Sequence, residues 1–558
     1  MPPTPHHPSA EPALSIGGLR GEYERLAARV RKYPDLIAAA LVAIGFCWRV
    51  WLAQATFFNT DEAWHYSVAN QNSLLAAYQA SLTLAHPPLM VLVLYFWRHV
   101  GTSDLVLRLP GVLAGTIFCY VFYKWLNILF GRTAAWCGLI FAAFLPPMIA
   151  LSAELRQYSS MLMFAVTAAY FLERALEDNS ACMIALSSIS LYLAMLSHYS
   201  AFLFAASLGI YALLRIVSQR PAARVMVSWA AGQAIGVGLA VLLYVTHIAK
   251  LSAVYLVARP LDRFGDFYLS DWYFHAGRDH LMPFLYRGTF GVFRFTFGHT
   301  GVGQIAALLF IVGVALSLRR GSSPTGRPHP MIAVLLLTPF VLNWVAVIAG
   351  LYPFGRTRQC IFLGVFGLAG VSFAISKIAK GRAGPAAAIA LGVVAICQLF
   401  GTLQGRDMLP LAQQRHEHMD QALQFIGSSV SPADVIFTDR AASFQLRHYL
   451  CRQDAVTVDR SSGGFESFRC DGRRIVSTGA NDGALTAENF MSKLEDARRD
   501  ESLNPGTTWV VQGGWSAGLG EALRSRSPGF SELQIHSFGR YLEVFRSPPS
   551  AADQSLAR

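Results

Sequence analysis

The 558-residue chain is 53% hydrophobic and only 14% charged, against the roughly 25% charged residues of a soluble globular protein. That excludes an ordinary water-soluble fold. Apolar runs recur from Leu36 to Leu403, many near the roughly 20 residues that cross a hydrocarbon core, and predict a polytopic α-helical membrane protein. The net charge of +12 does not point to nucleic acid, because the basic residues lie between apolar runs rather than on one patch.

In chain order, residues 1–34 form a Pro-rich and then Arg-rich tail without a cleavable signal pattern, expected to be cytoplasmic. Eleven spanning helices follow: 36–56, 105–129, 134–153, 159–176, 181–197, 200–217, 225–247, 302–318, 331–350, 360–378 and 386–403. Pro87 to Trp97 is too short to cross and reads as an interfacial or re-entrant helix. With that run excluded, one face collects Arg25, Arg29, Arg31, Lys32, Lys124, Arg132, Arg174, Arg215, Arg220, Arg224, Arg319, Arg320, Arg327, Lys377, Lys380 and Arg382. This is the cytoplasmic bias of basic residues.

The opposite face then carries loops 57–104, 248–301 and 352–359, the junctions at Glu154 to Tyr158 and at His198-Tyr199, and the C-terminal region. The membrane domain is expected over 35–404. From 405 to 558 the composition becomes soluble, with strand-like runs at Asp434 to Thr438, Thr508 to Gln512 and Tyr541 to Phe545. Helical patterns at Leu411 to Ile426 and Ala487 to Arg498 complete a small outer α/β domain. Six of the eight cysteines fall in apolar segments; Cys451 and Cys470 lie in polar sequence and are read either as a pair or as two free thiols.

The candidate chemistry gathers on the outer face. Asn59-Thr60-Asp61-Glu62 follows the first span directly. It reads as a carboxylate pair for general-base use, its pKa raised by burial, or as a helix start in which Thr60 caps and the acids complement the dipole. His86-Pro87-Pro88 opens the short interfacial helix, and His86 is either a phosphate or sugar contact or an ordinary residue at a helix start.

Arg108 sits at the outer end of the second span, Glu154-Leu155-Arg156-Gln157-Tyr158 marks a later junction, and Arg356 and Arg358 sit in the 352–359 loop. Snorkelling accounts for each arginine singly; together, against the charge bias, they suggest a phosphate grip. Asp266 to His275 is aromatic with interspersed acids, as an acceptor or lipid contact would be and as interfaces generally are. Arg49 stands alone inside the first span. No Walker loop, dinucleotide fingerprint or strong zinc spacing is present, which disfavours nucleotide-driven chemistry.

Asp61-Glu62, His86-Pro87-Pro88-Leu89, Arg108-Leu109-Pro110 and Glu154-x-Arg156-x-x-Tyr158, in that order, resemble the GT-C glycosyltransferases. The branch they look like holds the protein O-mannosyltransferases, lipid A aminoarabinose transferases and rhizobial lipopolysaccharide galacturonosyltransferases. The resemblance covers roughly Leu36 to Gln359. It implies a GT-C membrane domain and an inverting transfer from a polyprenyl-phosphate sugar to a glycolipid, polysaccharide or protein on the periplasmic face of a bacterial inner membrane. It places the base at Asp61, with Glu62 as its neighbour or as a metal or substrate contact, and gives Arg108 and Arg156 functional positions. Some relatives bind a divalent ion, so metal use stays open. A lipid or glycan transporter or flippase is the rival; it predicts polar groups near the bilayer midplane and an internal repeat, neither of which stands out.

Overall fold

Each long apolar run folds as a helix, because in hydrocarbon every backbone N–H and C=O must be paired within its own segment. The computed structural model describes residues 33–250, 269–318, 329–401 and 414–547, the last range without 452–457, 461–463, 480–484, 502, 504–507, 515–517, 527–529 and 531–532. Most of the N-terminal tail, part of the 248–301 loop, Arg319, Arg320, Arg327 and Leu411 lie outside the described residues.

The helices are α1 Pro34–Ala55, α2 Thr60–Ala69, α3 Leu74–Ser81, α4 Leu89–Trp97, α5 Asp104–Phe130, α6 Arg132–Phe144, α7 Pro146–Ala153, α8 Tyr158–Asp178, α9 Ala181–Ser197, α10 Ser200–Gln219, α11 Ala223–Leu243, α12 Leu281–Phe297, α13 Thr300–Ser317, α14 His329–Ile348, α15 Ile361–Ile378 and α16 Ala383–Leu399. Among the described residues seven helices are long and apolar enough to cross a membrane, or eight if the bent pair α6 and α7 makes one span. The protein is thus a multi-pass membrane protein. The expected eleven exceeds this because α9 and α16 are shorter, at 17 residues each, and because α8 carries Glu173, Arg174, Glu177 and Asp178 near its end.

The expected continuous span 134–153 is instead broken, α6 and α7 meeting at 53°. Leu145 is extended ahead of Pro146, which cannot continue a helix hydrogen-bond ladder. Arg49 closes the break: its guanidinium donates to Ala142 O at 2.8 Å and Ala143 O at 3.0 Å, carbonyls that end α6. The lone basic residue of the first span is therefore a helix C-cap supplied from a neighbouring helix. At the centre of the bundle α15 is buried along nearly its whole length. Small residues let helices approach it; a Cβ on Gly313 of α13 would lie 2.4 Å from Gly370 O.

Beyond the bundle come α17 His416–Ser429, β1 Val435–Thr438, α18 Arg440–Tyr449, β2 Asp459–Arg460, β3 Glu466–Cys470, β4 Arg473–Ser477, α19 Phe490–Glu501, β5 Thr508–Gly513, α20 Leu519–Arg526, β6 Ile535–Ser537 and β7 Leu542–Arg546. They form one sheet of order β2-β3-β4-β1-β5-β7-β6, parallel only across β4-β1-β5. One sheet face packs on α19 and α20 and the other on α17 and α18, giving a three-layer α/β domain. Cys451 and Cys470 are disulfide-bonded. This domain sits on the bundle end that carries the first loop, pairing Arg415 with Thr56 as a β-bridge.

Candidate active site

The Asn59 to Glu62 segment builds a helix start in which each acid has a different task. Asn59, not Thr60, is the N-cap: its side chain accepts the Glu62 amide at 2.9 Å, and Glu62 Oε2 accepts the Asn59 amide at 2.9 Å. This reciprocal capping box turns Glu62 back into the protein. There Arg108 meets it through Nε to Oε1 and Nη2 to Oε2, both 2.7 Å, and the Leu155 amide donates to Oε1 at 2.7 Å. The remaining Arg108 donors reach Ala53 O, Thr56 O and Phe57 O. Both side chains are fully buried. The structure thus pairs Glu62 and Arg108 with each other, closed off from solvent.

Asp61, one residue earlier, faces the other way and keeps 30% of its side chain exposed. Its Oδ2 lies 3.4 Å from Arg156 Nη1 and 3.5 Å from Arg358 Nη1. Arg358 Nη1 also reaches Glu154 Oε2 at 3.3 Å. Arg156 donates to His86 Nε2 at 3.3 Å, and its Nη1 lies 3.1 Å from His65 Nδ1, whose N–H donates to Asp61 O at 3.0 Å. Tyr158 lies beneath the Arg156 guanidinium, 5.8 Å from ring centroid to Cζ. His198 packs 5.2 Å from His86 and 5.0 Å from Tyr158, ring to ring.

The backbone explains this convergence. Glu154 and Arg156 lie in the short extended link after α7, whose direction the Arg49-capped bend sets. Arg358 lies in a loop pinned by Trp272, whose carbonyl accepts the Phe354 amide at 2.7 Å. The described part of the aromatic segment thereby supports the loop that holds Arg358. Arg356 is half-buried on the same loop, its backbone packed against Gly291 of α12.

Electrostatics sets the protonation states. Burial alone drives the Asp61 carboxyl up, but the charges of Arg156 and Arg358 outweigh it and hold the group below the usual carboxylate range. The expectation of a raised pKa is therefore corrected: the flanking guanidiniums keep this carboxylate ionised. Burial raises Glu154 despite Arg358. Burial, reinforced by Arg156, pushes His65 and His198 down to about 3 and His86 well below its ordinary value. All three imidazoles are neutral near pH 7, so His86 can accept an Arg156 N–H group and orient its fork, while His65 gives its Nδ1 proton to Asp61 O.

Of the residues picked from sequence, Asp61, His86, Glu154, Arg156, Tyr158 and Arg358 come together. Glu62 and Arg108 form their own node. His65 was missed, although it stands four residues after Asp61 and so on the same helix face. Among the described residues no three His, Cys, Asp or Glu side chains converge as metal ligands.

A family model described as dolichyl-phosphate-mannose-protein mannosyltransferase matches residues 85–257, a stretch that holds His86, Arg108, Glu154, Arg156 and Tyr158. No curated protein matches the chain in sequence. Among solved structures, ArnT from Cupriavidus metallidurans in the apo state is similar with a TM-score of 0.51 and 12% identity, over 93% of this chain and 100% of that one. The same protein bound to undecaprenyl phosphate gives 0.50 and 12%, over 92% and 99%. At that identity the likeness establishes a shared fold, spanning both the helical bundle and the sheet.

Proposed function

We propose that this chain is a GT-C-type glycosyltransferase, a reading supported by the mannosyltransferase family model over 85–257 and by the shared fold, and that it moves a sugar from a polyprenyl-phosphate donor to an acceptor hydroxyl, with inversion, using Asp61 as base. The observation that carries the reading is the partly exposed Asp61 carboxylate held between Arg156 and Arg358 at the end of a membrane bundle. Asp61 takes the acceptor's hydroxyl proton as that oxygen bonds to the anomeric carbon. The bond from that carbon to the phosphate oxygen breaks, and the lipid phosphate leaves with the electron pair. Phosphate needs charge stabilisation rather than a strong acid, and two guanidiniums close to the base supply it. A phosphate that draws on Arg156 and Arg358 also loosens their hold on Asp61, raising its basicity when donor is present. A donor lipid also fits a fold shared with a protein that binds undecaprenyl phosphate.

The acceptor is a glycolipid, polysaccharide or protein on the periplasmic side, with the N-terminus cytoplasmic. The Cys451–Cys470 disulfide supports an oxidising compartment for the sheet domain. A transporter reading would rest on the broken span, but Arg49 caps that break with protein carbonyls on both of its terminal nitrogens.

The test is mass spectrometry of envelope glycolipids and glycans from cells lacking the gene, complemented with wild type or Asp61→Asn. A sugar-sized mass restored by wild type alone is expected, with transfer reduced about 10²–10⁴-fold in the variant. A fully active Asp61→Asn protein would remove the base assignment.

A further inference from the structure

The sheet domain touches the membrane bundle at the few residues that aim Asp61. Asp104, the first residue of α5, is buried and accepts hydrogen bonds from His448 Nε2 at 2.8 Å, His416 Nε2 at 3.1 Å and the Tyr449 hydroxyl. His416 opens α17 and His448 and Tyr449 close α18, so two elements of the sheet domain meet on one carboxylate at the head of a span. Tyr449 has a single hydroxyl proton, which it donates to Asp104 while accepting the Phe58 amide at 2.6 Å. A continuous hydrogen-bond chain thus runs from the segment before Asp61, through the sheet domain, to α5.

The same segment is gripped at each step. Phe57 donates its amide to Gln414 O at 2.9 Å. Gln445 Nε2 donates to Phe58 O at 2.9 Å, and the His448 ring stacks on Phe58 at 4.5 Å. Gly514, at φ +62°, lies so close to Thr60 that a Cβ there would be 2.4 Å from its hydroxyl. Further along α2, Trp64 stacks on Phe444 at 5.9 Å. From the membrane side Arg108, one turn after Asp104 on α5, holds Ala53 O, Thr56 O, Phe57 O and Glu62. α2 has only 10 residues, too few to hold itself in water, so these two grips decide where its second residue points.

We propose that the sheet domain positions the Asp61 carboxylate, and that Asp104, His448 and Tyr449 are positioning residues for the transfer proposed above, on which the catalytic half of this inference rests. Reacting groups must be held to a fraction of an ångström, and a displacement near 1 Å costs roughly 10²-fold in rate. A helix start gripped from both domains meets that demand. The groups facing Asp104 are His416, His448 and Tyr449 from the sheet domain and Arg108 from its own helix, with Asp420 beside His416 one turn on.

The experiment uses the full chain in lipid nanodiscs, comparing wild type, Asp104→Asn, Asp104→Glu and His448→Gln by hydrogen exchange and by transfer kinetics. Asp104→Asn is expected to raise exchange over 57–69 about tenfold while strands 435–438 and 508–513 keep their protection, and to lower kcat about tenfold at unchanged donor KM. Asp104→Glu, which keeps the carboxylate, should recover part of both. Unchanged exchange over 57–69 overturns the proposal, and so does an equal rise in the two strands, since that is general unfolding. Should Asp104→Asn fail to fold, His448→Gln carries the same comparison. Exchange needs no substrate, so an active Asp61→Asn protein beside the expected exchange result would remove the transfer reading and leave the positioning of α2 standing.

Discussion

Two buried arginine centres lie within one helix turn of each other along α2, and they are built in opposite ways. At the Arg108 centre six acceptor oxygens surround one guanidinium, Glu62 answers it in bidentate fashion, and neither side chain meets solvent. At the Arg156 and Arg358 centre two guanidiniums share a carboxylate that is 30% exposed, at 3.4 and 3.5 Å rather than 2.7 Å, while Arg156 also leans on neutral His86 and Arg358 on Glu154. The first arrangement is satisfied within the protein. The second, with its longer contacts and partly exposed carboxylate, is the one proposed to meet the donor phosphate; burial of the arginine does not tell the two apart, because Arg108 and Arg156 are both buried.

The largest effect should come from breaking the closed centre. Glu62→Ala or Arg108→Ala leaves an uncompensated buried charge and is expected to cost about 3–5 kcal/mol of stability, read as a lowered midpoint in thermal unfolding of the detergent-solubilised protein. An unchanged midpoint would mean the pair is not the anchor its geometry describes. At the open centre the order reverses: Arg156→Lys and Arg358→Lys keep the charge but lose the fork. Because both side chains are buried, the two variants should lower the unfolding midpoint, but by less than either change at the closed centre, and weaken polyprenyl-phosphate binding about tenfold by native mass spectrometry. Unchanged affinity in both would abolish the phosphate grip, and Arg356→Ala should weaken binding less than either.

Much of this was legible in the sequence where the signal is local. Apolar length found the helices, and Pro146-Pro147 marks the bend that a hydropathy window over 134–153 averages away. Expected strands at 434–438, 508–512 and 541–545 lie within a residue of β1, β5 and β7. The β3–β4 hairpin was missed although Asp471-Gly472, both at positive φ, is a strong two-residue turn signal. α18 was missed as well; it is only 10 residues long and polar on average, although its apolar residues gather on one face. Arg156 and Arg358 were visible as basic residues against the expected charge bias and Asp61 as part of a carboxylate pair at a membrane surface, whereas the division of labour between Asp61 and Glu62 was not, because it depends on which way a capping box turns each side chain. The contacts of Asp104 with His416 and His448 span 312 and 344 residues, and no periodicity or motif encodes a pairing of that range.

The histidines give the smallest and most selective test, since the two groups respond to pH with opposite sign. His65 and His198, pushed down to about 3, bind fewer protons folded than unfolded, so their contribution is lost as pH falls from 6.5 toward 3. His416 is held above its ordinary value, chiefly by its hydrogen bond to Asp104. Its contribution is therefore fully present below about 6.5 and is lost as pH rises through the raised folded value. His416 is partly exposed, so the change is small. Unfolding midpoints of wild type and His416→Gln across pH 5 to 9 should converge at the alkaline end and separate at the acidic end, with wild type the more stable there. Parallel profiles would show that the His416 bond to Asp104 carries no charge-dependent part of the docking, leaving His448 and Tyr449 to hold the sheet domain against the helix that bears Asp61.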